Sequence, residues 1–559
     1  MGSHTPEIIT LQTGHYANFV GTHWWNIQES SFVYDPTAKV EIDHGVLFRE
    51  GETFQRESTF TPRLLAVDLR GSLGGLRRRG RLYGEEAPPA AAATERLWHG
   101  DTVRHKQEPG RPGLLQRLDG AGDPAGEKDV CQTHADGQPA ETPEIRAEPD
   151  GDKAESDEPA SPDVAVKVWS DFLGTHLHPW SVHILTEHLH DNASDPFDVF
   201  GYGEAQYSRE DFRDCFEDRL RAYAEECDHL AGFHVLSDGC DGFGGVAAGA
   251  LAHLSDEYPR RPALLVPLQP PAPARLTLPQ IVHRTVNAAL TLDAGGRLAA
   301  LSVPLSVQER WSAPLVPPSL RQFEHLEYGG ASYEGSALLA AALDTVTAPW
   351  RRKQGPVPLY EVTAALTGRG RTVAAAGLAL PLGVGPGDRL ADWLDAGSLR
   401  LQSLTPGVPA PAAGTGPDVW SGCAVLRGVP EQQTRSDSDP WQEAVVRWPG
   451  RQLACRLREP LRTAAPFPSL FTADVGPDGL VRPRQATATA VSSAPAAGSL
   501  VSSRSAGECL ASLGAIVGRY NVSKFHRFAA GGLEADDFSE VRERLSDLAA
   551  CYRPDTDAL

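Results

Sequence analysis

A glycine-rich loop between a strand-like and a helix-like segment offers the clearest candidate site. The run DGCDGFGG, residues 238–245, follows the apolar segment GFHVLSD and precedes apolar side chains at steps of three and four. Such a loop can bind phosphate, because glycine lets backbone N–H groups and a helix N-terminus approach an anion closely. The same glycines permit a tight strand-to-helix turn without any ligand. The residues between the glycines therefore decide between the two roles.

The elements around this loop alternate between strand and helix. Buried strands are predicted at 7–12, 64–69, 232–238 and 263–268, and helices at 18–29, 208–228 and 243–258. This alternation predicts a doubly wound parallel sheet, in which ligands bind outside the carboxyl ends of the strands. Asp68 ends the apolar run LLAVDL and is a second candidate at that edge.

Composition and charge exclude several classes of partner. The chain has 559 residues, 41% of them hydrophobic, and a net charge of −21. A strongly acidic protein is poorly suited to nucleic acid or an anionic bilayer. The eight cysteines form no C-x-x-C pair, which favours free thiols in a reducing compartment. No run suits a membrane span and the first residues lack signal or transit features, so we expect a cytosolic protein with only peripheral membrane contact.

Composition also suggests the domain boundaries. The segment 85–163 is rich in Glu, Asp, Pro, Gly and Ala, and is predicted to be a disordered acidic insertion. A second α/β domain is expected to carry a helix at 333–346 and a strand at 372–380, while 404–440 is predicted to be loop. The predicted organisation is a first domain in two parts (1–84 and 164–275) around the insertion (85–163), a second domain (276–403) with a loop-rich remainder (404–500), and a C-terminal helical region (501–559).

Several motifs resemble tubulin. The segment CDHLAGF at 227–233 is similar to the tubulin motif C-D-x-L-x-G-F, and DEYPRR at 256–261 is similar to the end of the helix that follows. The start EIITLQTGHYANFVG, the segment FTPRLLAVDLRGSL and the C-terminal FHRFAAGGLEADDF resemble tubulin in the same order. The resemblance implies a tubulin-like nucleotide-binding-type domain, a second α/β domain and C-terminal helices.

One branch of the tubulin superfamily is closer still. The segments GTHWWN, TPRLLAVDLRGSL, VWSDFLGTHLHP, ECDHLAGFHVLSD and ALDTVTAPWR resemble the Misato family, which is tied to mitochondrial distribution and morphology. This resemblance covers nearly the whole chain apart from 85–163 and parts of 404–500.

Comparison with tubulin identifies degenerate nucleotide-binding positions in the glycine loop. Phe243 stands where tubulin has a threonine whose hydroxyl would meet phosphate, and Asp241 adds a negative charge where an anion would sit. The glycines Gly242, Gly244 and Gly245 suit either phosphate or the turn itself. We therefore expect no cofactor, with GTP or GDP as the alternative.

The first loop and the strand-end acid are altered in a similar way. Gly14 and Asn18 match tubulin while His15 does not; Asn18 could contact a guanine or ribose, or cap the following helix, and we favour the cap. Asp68 matches the tubulin aspartate, but Arg70 replaces the neighbouring glutamate that helps hold magnesium in that family. Gaining a cation there weakens a divalent site.

Two further features bear on chemistry. Tubulins complete hydrolysis with an N-x-D loop from the next subunit, and the segment GPVPLYE at 355–361 offers only Glu361 for it. The segment HLHPWSVHILTEHLHD at 176–191 holds His176, His178, His183, His188 and His190, with Asp191. An H-x-H pair on a strand puts both rings on one face, which suits zinc. Without cysteines or a second ligand cluster we expect hydrogen-bonded or surface histidines and no metal site.

The resemblance implies a non-enzymatic tubulin-related protein that regulates mitochondrial distribution, fusion and network morphology. It would lie in the cytoplasm and associate peripherally with the mitochondrial outer membrane, where its partners are proteins. Two alternatives stay open. One is a nucleotide-binding GTPase of the tubulin superfamily, and the other is a cytosolic factor in tubulin folding or microtubule assembly, with tubulin or its chaperonin as partner.

Overall fold

A computed structural model gives the architecture of the chain. The insertion predicted at 85–163 lies outside the residues that the structure describes. Those residues are 5–33, 39–52, 58–74, 166–273, 275–313, 319–409, 419–429, 439–482 and 490–553.

The described strands form two main sheets and two short antiparallel pairs. They are β1 (Glu7–Thr13), β2 (Phe48–Glu52), β3 (Ser58–Pro62), β4 (Leu64–Arg70), β5 (Val182–Leu189), β6 (Leu230–Asp238), β7 (Ala263–Leu268), β8 (Leu301–Ser302), β9 (Ala375–Ala379), β10 (Gln402–Ser403), β11 (Val419–Arg427), β12 (Arg451–Leu457), β13 (Leu461–Arg462), β14 (Ser493–Ala494) and β15 (Ala496–Ser503).

The described helices pack on both faces of the first sheet and around the second. They are α1 (His15–Ser30), α2 (Phe200–Tyr207), α3 (Glu210–Glu226), α4 (Phe243–Glu257), α5 (Leu278–Leu298), α6 (Ser332–Val346), α7 (Ala348–Arg351), α8 (Leu359–Leu366), α9 (Leu390–Asp395), α10 (Pro440–Val446), α11 (Arg504–Val517), α12 (His526–Ala530) and α13 (Ala535–Ala550).

The first sheet is parallel, with the order β5-β4-β1-β6-β7-β8. Alternate β1 residues face opposite layers: Ile8 packs in the core that contains α1, whereas Ile9 packs in the core that contains α3 and α4. This is the doubly wound sheet that the sequence predicted. The chain passes from β1 to one side through β4 and β5, and then continues on the other side with β6. The switch point of the topology therefore lies between β1 and β6.

The second sheet is mixed, with the order β10-β9-β15-β11-β12. Its strand β11 lies inside the stretch 404–440, so the loop prediction is wrong for 419–427. The strand pairs with a neighbour on each side, and seven of its nine residues, from Ser421 to Arg427, are buried. Pairing with two neighbouring strands therefore stabilises a strand that the Pro-, Gly- and Ser-rich composition of this stretch does not predict.

A buried charge network joins the two sheets. The Asp344 carboxylate in α6 pairs with Arg351 of α7 at 3.0 Å and with Arg427 of β11, and it accepts a hydrogen bond from Gln28 of α1. Burial acts to raise the pKa of Asp344, but the two guanidinium groups outweigh it and hold the pKa below its usual value. A buried charge is tolerated when it is paired in this way.

Helix α2 crosses the start of α4 at very short range. A Cβ atom added at Gly245 would lie 2.0 Å from the Phe200 carbonyl oxygen, and one added at Gly203 would lie 1.7 Å from the Gly242 carbonyl oxygen. Only glycine fits at such a contact. The glycine loop is thus held against a helix of the same chain.

We predict that Gly245→Ala destabilises the protein by at least about 2 kcal/mol, because the new methyl group overpacks the contact between α2 and α4. The measurement is urea-induced unfolding followed by circular dichroism. Gly514→Ala in α11 is the matched control, since a Cβ there meets nothing within 4 Å. That helical substitution should be neutral or slightly stabilising. Equal effects of the two substitutions would contradict the packing role of Gly245.

Candidate functional site

Three loops meet at the carboxyl edge of the first sheet, at its switch point. They follow β1, β4 and β6. The nucleotide-binding-like positions that the sequence identified lie in these loops or in the strand ends and helix starts beside them. In a doubly wound fold this crevice is where a ligand binds. Those positions are Gly14, His15, Asn18, Asp68, Gly242, Phe243, Gly244 and Gly245.

The crevice between β1 and β6 is filled by the side chain of Asp238. Its Oδ2 accepts the Tyr16 N–H at 3.0 Å and its Oδ1 accepts the Ala17 N–H at 2.7 Å. These are N–H groups of the first turn of α1, which have no partner within the helix. Gly14 has φ 120° and leaves room for the carboxylate, since a Cβ there would lie 2.4 Å from Asp238 Cγ. A carboxylate of the chain itself thus occupies the anion position of the helix.

A second acid lies beside this carboxylate. Burial raises the pKa of Asp238 well above its usual value, Asp241 adds to the effect, and the N–H groups of Tyr16 and Ala17 oppose it. Burial also raises the pKa of Asp241 to about 7. A phosphate placed at this edge would therefore meet two acidic groups, and would have to displace one of them from the helix.

The backbone of the glycine loop is already hydrogen-bonded within the protein. The Phe243 N–H donates to Asp241 Oδ1 at 2.9 Å, and the Gly242 N–H donates to the Phe197 carbonyl oxygen at 3.0 Å. From α5, Asn287 donates to the Cys240 carbonyl oxygen at 3.0 Å and Thr291 donates to that of Gly239 at 3.2 Å. A phosphate cradle needs N–H groups that point at the ligand. Here the N–H groups of Gly242 and Phe243 are hydrogen-bonded to other atoms of the chain.

Phe243 is a core residue. Its side chain is 3% exposed and packs edge-on against Phe197, with ring centroids 5.1 Å apart. The same Phe197 ring leaves no room for a side chain at Gly242, where a Cβ would lie 2.6 Å from a ring carbon. A Cβ at Gly244 would lie 2.2 Å from Thr291 Oγ1. The glycines of the loop therefore allow close packing of its own chain.

The structure places Asn18 inside α1, so the predicted helix cap is wrong. The N-cap position is Gly14. Asn18 instead donates to the Val67 carbonyl oxygen at 3.3 Å and to Asp68 Oδ2 at 3.2 Å. Its amide therefore connects α1 to the end of β4. The cap was an attractive assignment because Asn is favoured there, but the helix begins three residues earlier.

Asp68 is buried at the end of β4 and collects hydrogen bonds from several elements. Its Oδ2 accepts from Trp169 Nε1 at 2.8 Å and lies 3.1 Å from His15 Nδ1, and its Oδ1 accepts the Leu69 N–H at 2.8 Å. Burial acts to raise the pKa of Asp68. The hydrogen bond and charge of His15, together with hydrogen bonds from the Leu69 N–H and the Asn18 amide, outweigh burial and keep the pKa below its usual value. Arg70 is exposed at the end of the same strand.

The histidines of the 176–190 segment have different surroundings. His176 is exposed before β5, whereas His183 and His188 in β5 pack against Phe212 and Phe197 with centroid distances of 4.7 Å. His190 follows β5 and reaches the candidate site, where its ring centroid lies 3.9 Å from that of His15. The expected H-x-H pair at 176 and 178 lies in a loop and not on a strand.

The GPVPLYE segment lies at the opposite edge of the sheet. Leu359 at the start of α8 approaches Gly232, since a Cβ there would lie 2.9 Å from Leu359 Cδ2. Gly232 and Asp238 are near opposite ends of β6, about 20 Å apart at the usual rise of a strand. Glu361 lies in the first turn of α8.

Contacts within the chain occupy the positions that would bind phosphate. The α1 N-terminus is bound by Asp238, and the loop glycines are in contact with α2, Phe197 and Thr291. A small pocket lined by Cys240, Leu268 and Trp311 adjoins the loop, and its walls are apolar.

Two family models match the chain. A model described as the Misato Segment II tubulin-like domain matches residues 6–118, and a model described as the Tubulin domain matches residues 158–352. Together with the parallel sheet, these matches confirm the predicted tubulin-like α/β fold. The predicted domain boundaries stay predictions.

Relatives that match this chain over nearly its whole length also carry the Misato name. Protein misato homolog 1 of Pongo pygmaeus is 33% identical over 99% of this chain and 99% of its own length. The Homo sapiens protein of that name is 32% identical over 98% of each chain. Protein misato of Drosophila melanogaster is 31% identical over 98% of this chain and 99% of its own length.

We predict that Asp241→Asn stabilises the protein at pH 8 but not at pH 5. Its amide oxygen can keep the hydrogen bond from Phe243 while the charge beside Asp238 is removed. An acid whose pKa is higher in the folded than in the unfolded state binds more protons when folded, so wild-type stability falls as the pH rises from about 4 to about 7. The gain at pH 8 should be on the order of 1 kcal/mol.

The measurement is the free energy of unfolding in urea at both pH values. Asp43→Asn is the matched control, because Asp43 also accepts the N–H of the second residue after it, but in an exposed turn. A gain from Asp241→Asn that is the same at both pH values, or larger at pH 5, would show that no raised pKa is at work.

Proposed function

Because the chain belongs to the Misato family of tubulin-related proteins, we propose that it regulates mitochondrial distribution, fusion and network morphology without hydrolysing GTP. It acts as a cytoplasmic protein at the outer mitochondrial surface, and its fold presents surfaces to protein partners. Family membership supports the mitochondrial part of the proposal. The geometry of the candidate site supports the non-enzymatic part.

The hydrogen bonds from the Tyr16 and Ala17 N–H groups to Asp238 carry the non-enzymatic proposal. A helix N-terminus binds an anion through its first N–H groups and its dipole. Here the anion position is taken by a side chain from the neighbouring strand, at an effective concentration that a dilute ligand cannot match. A bound nucleotide would have to break both hydrogen bonds and approach Asp241 as well.

A tubulin-type filament is not expected from the two edges of the sheet. A head-to-tail contact propagates only if the two faces are complementary. At one edge the loops are filled by Asp238 and Phe243, and at the other the segment before α8 lacks the N-x-D residues. The protein therefore acts as a single subunit of the tubulin fold and binds partners of a different kind.

Association with the membrane is proposed to be peripheral. Within the described residues, none of the helices combines the length and apolar character that a membrane crossing needs. The net charge of −21 would repel an anionic bilayer. A protein receptor on mitochondria is therefore the proposed attachment.

We predict that the purified protein releases phosphate from GTP at the background rate, even at high protein concentration with magnesium. The anion position is filled and the residues that would complete hydrolysis are absent. Tubulin under polymerising conditions is the positive control. Turnover above background that a folded Gly244→Ala variant loses would contradict the proposal.

In cells depleted of this protein, we expect mitochondria to change their distribution and network while microtubules and soluble tubulin stay at normal levels. Re-expression of the wild-type chain should restore the network. Loss of tubulin before any mitochondrial change would instead support a role in tubulin folding or microtubule assembly.

Alkaline carbonate should release the protein from isolated mitochondria, because it is held by protein contacts.

A further inference from the structure

Two histidines and one aspartate converge beside the filled crevice. His15 begins α1, which follows β1, Asp68 lies in β4, and His190 directly follows β5. Because these three strands are adjacent in the sheet, the three side chains lie close together. One ligand-type atom from each side chain lies within 4.8 Å of the other two. His15 Nδ1 and Asp68 Oδ2 are 3.1 Å apart.

These separations fit a small tetrahedral ion. With Zn–N and Zn–O distances of about 2.0–2.2 Å, two ligand atoms of a tetrahedral site lie about 3.3 Å from each other. The pair from His15 and Asp68, at 3.1 Å, is already close to that separation. His190 would complete the set by a modest rotation of its side chain, while its backbone N–H, bound to the Arg70 carbonyl oxygen at 2.9 Å, keeps it in place.

The surroundings of Asp68 suit a metal ligand. Trp169 Nε1 and Asn18 Nδ2 both donate to Asp68 Oδ2, the oxygen that faces His15. These hydrogen bonds fix the orientation of the carboxylate, as hydrogen bonds to metal ligands do. Asn18 itself is 1% exposed, yet its Oδ1 has no hydrogen-bond partner among the described residues. A water molecule bound to an ion at this point could donate to that oxygen. This oxygen without a partner is a second observation that fits an ion with bound water at this point.

The donor types indicate which kind of ion the site would bind. Two imidazoles and one carboxylate favour a borderline cation such as Zn²⁺, whereas Mg²⁺ prefers oxygen ligands. The site also differs from the magnesium position that tubulin resemblance implies, since His190 comes from another segment and Arg70 replaces the acid there. The side chains of His15 and His190 are 20% and 19% exposed, so an ion can enter from solvent.

We propose that His15, Asp68 and His190 bind one Zn²⁺ ion, with water in the fourth position. The ion would join the carboxyl ends of β4 and β5 to the start of α1, and so stabilise the edge of the sheet that Asp238 closes on its other side. This site does not depend on the proposed mitochondrial function.

The test uses the full chain without a histidine tag, stripped of metal with EDTA. Titration with Co²⁺ at pH 7.5 should give visible absorption of one tetrahedral ion per chain, and Zn²⁺ should abolish it. Addition of Zn²⁺ to the stripped protein should raise the melting temperature.

His190→Ala is the central variant, because its side chain is only partly buried and the fold should survive. It should weaken Co²⁺ binding at least about 10-fold and remove the thermal shift. His176→Ala, which changes an exposed histidine of the same segment, should do neither. A circular dichroism melt verifies that both variants are folded.

Three results would overturn the proposal. The first is no Co²⁺ absorption at millimolar concentration. The second is binding that His190→Ala leaves unchanged, or that His176→Ala weakens equally. The third is an absorption band of thiolate-to-cobalt charge transfer, which would assign the ion to cysteines.

Discussion

The hydrogen bonds from α1 to Asp238 fix the centre of the molecule. They join residues more than 200 positions apart, at the point where the topology of the parallel sheet reverses. The end of β6, the end of β1 and the start of α1 are thereby held at one geometry. The Asp238 side chain therefore makes this edge of the sheet an internal contact of the chain.

The glycine loop adapts to the same constraint. A loop that binds phosphate keeps its N–H groups free for a ligand that comes and goes. Here α2 lies against Gly245, Phe197 covers Gly242, and the Phe243 ring enters the core. Each of these contacts lies within the chain. Glycines at these positions suit close packing of helices and rings as well as they would suit a phosphate.

Much of the fold could be predicted from the sequence. Continuous apolar runs identified β1, β4, β6 and β7 to within about two residues, because buried parallel strands have no alternation to obscure them. Helical spacing of apolar residues identified α3 and α4. Helix α5 was missed, although Thr277 and Gln280 form a capping box with the signature T-x-x-Q that could have marked its start.

The site was less predictable. Asp238 ends a buried strand just as Asp68 does, so the same rule could have singled it out. Its partners on α1 are far away in the chain, and only the sheet order brings them together. His190 was among the histidines that the sequence singled out, but its partner was not predicted: spacing points to neighbours in sequence, whereas His190 meets His15 across the intervening strand β4. Long-range contacts of this kind have no local pattern.

The nucleotide content of the purified native protein tests the central claim most directly. The protein is denatured and the released guanine nucleotide is quantified by ion-exchange chromatography, with tubulin treated identically. If Asp238 holds the anion position, the protein should release no stoichiometric GTP or GDP while tubulin releases both. About one guanine nucleotide per chain would contradict the account.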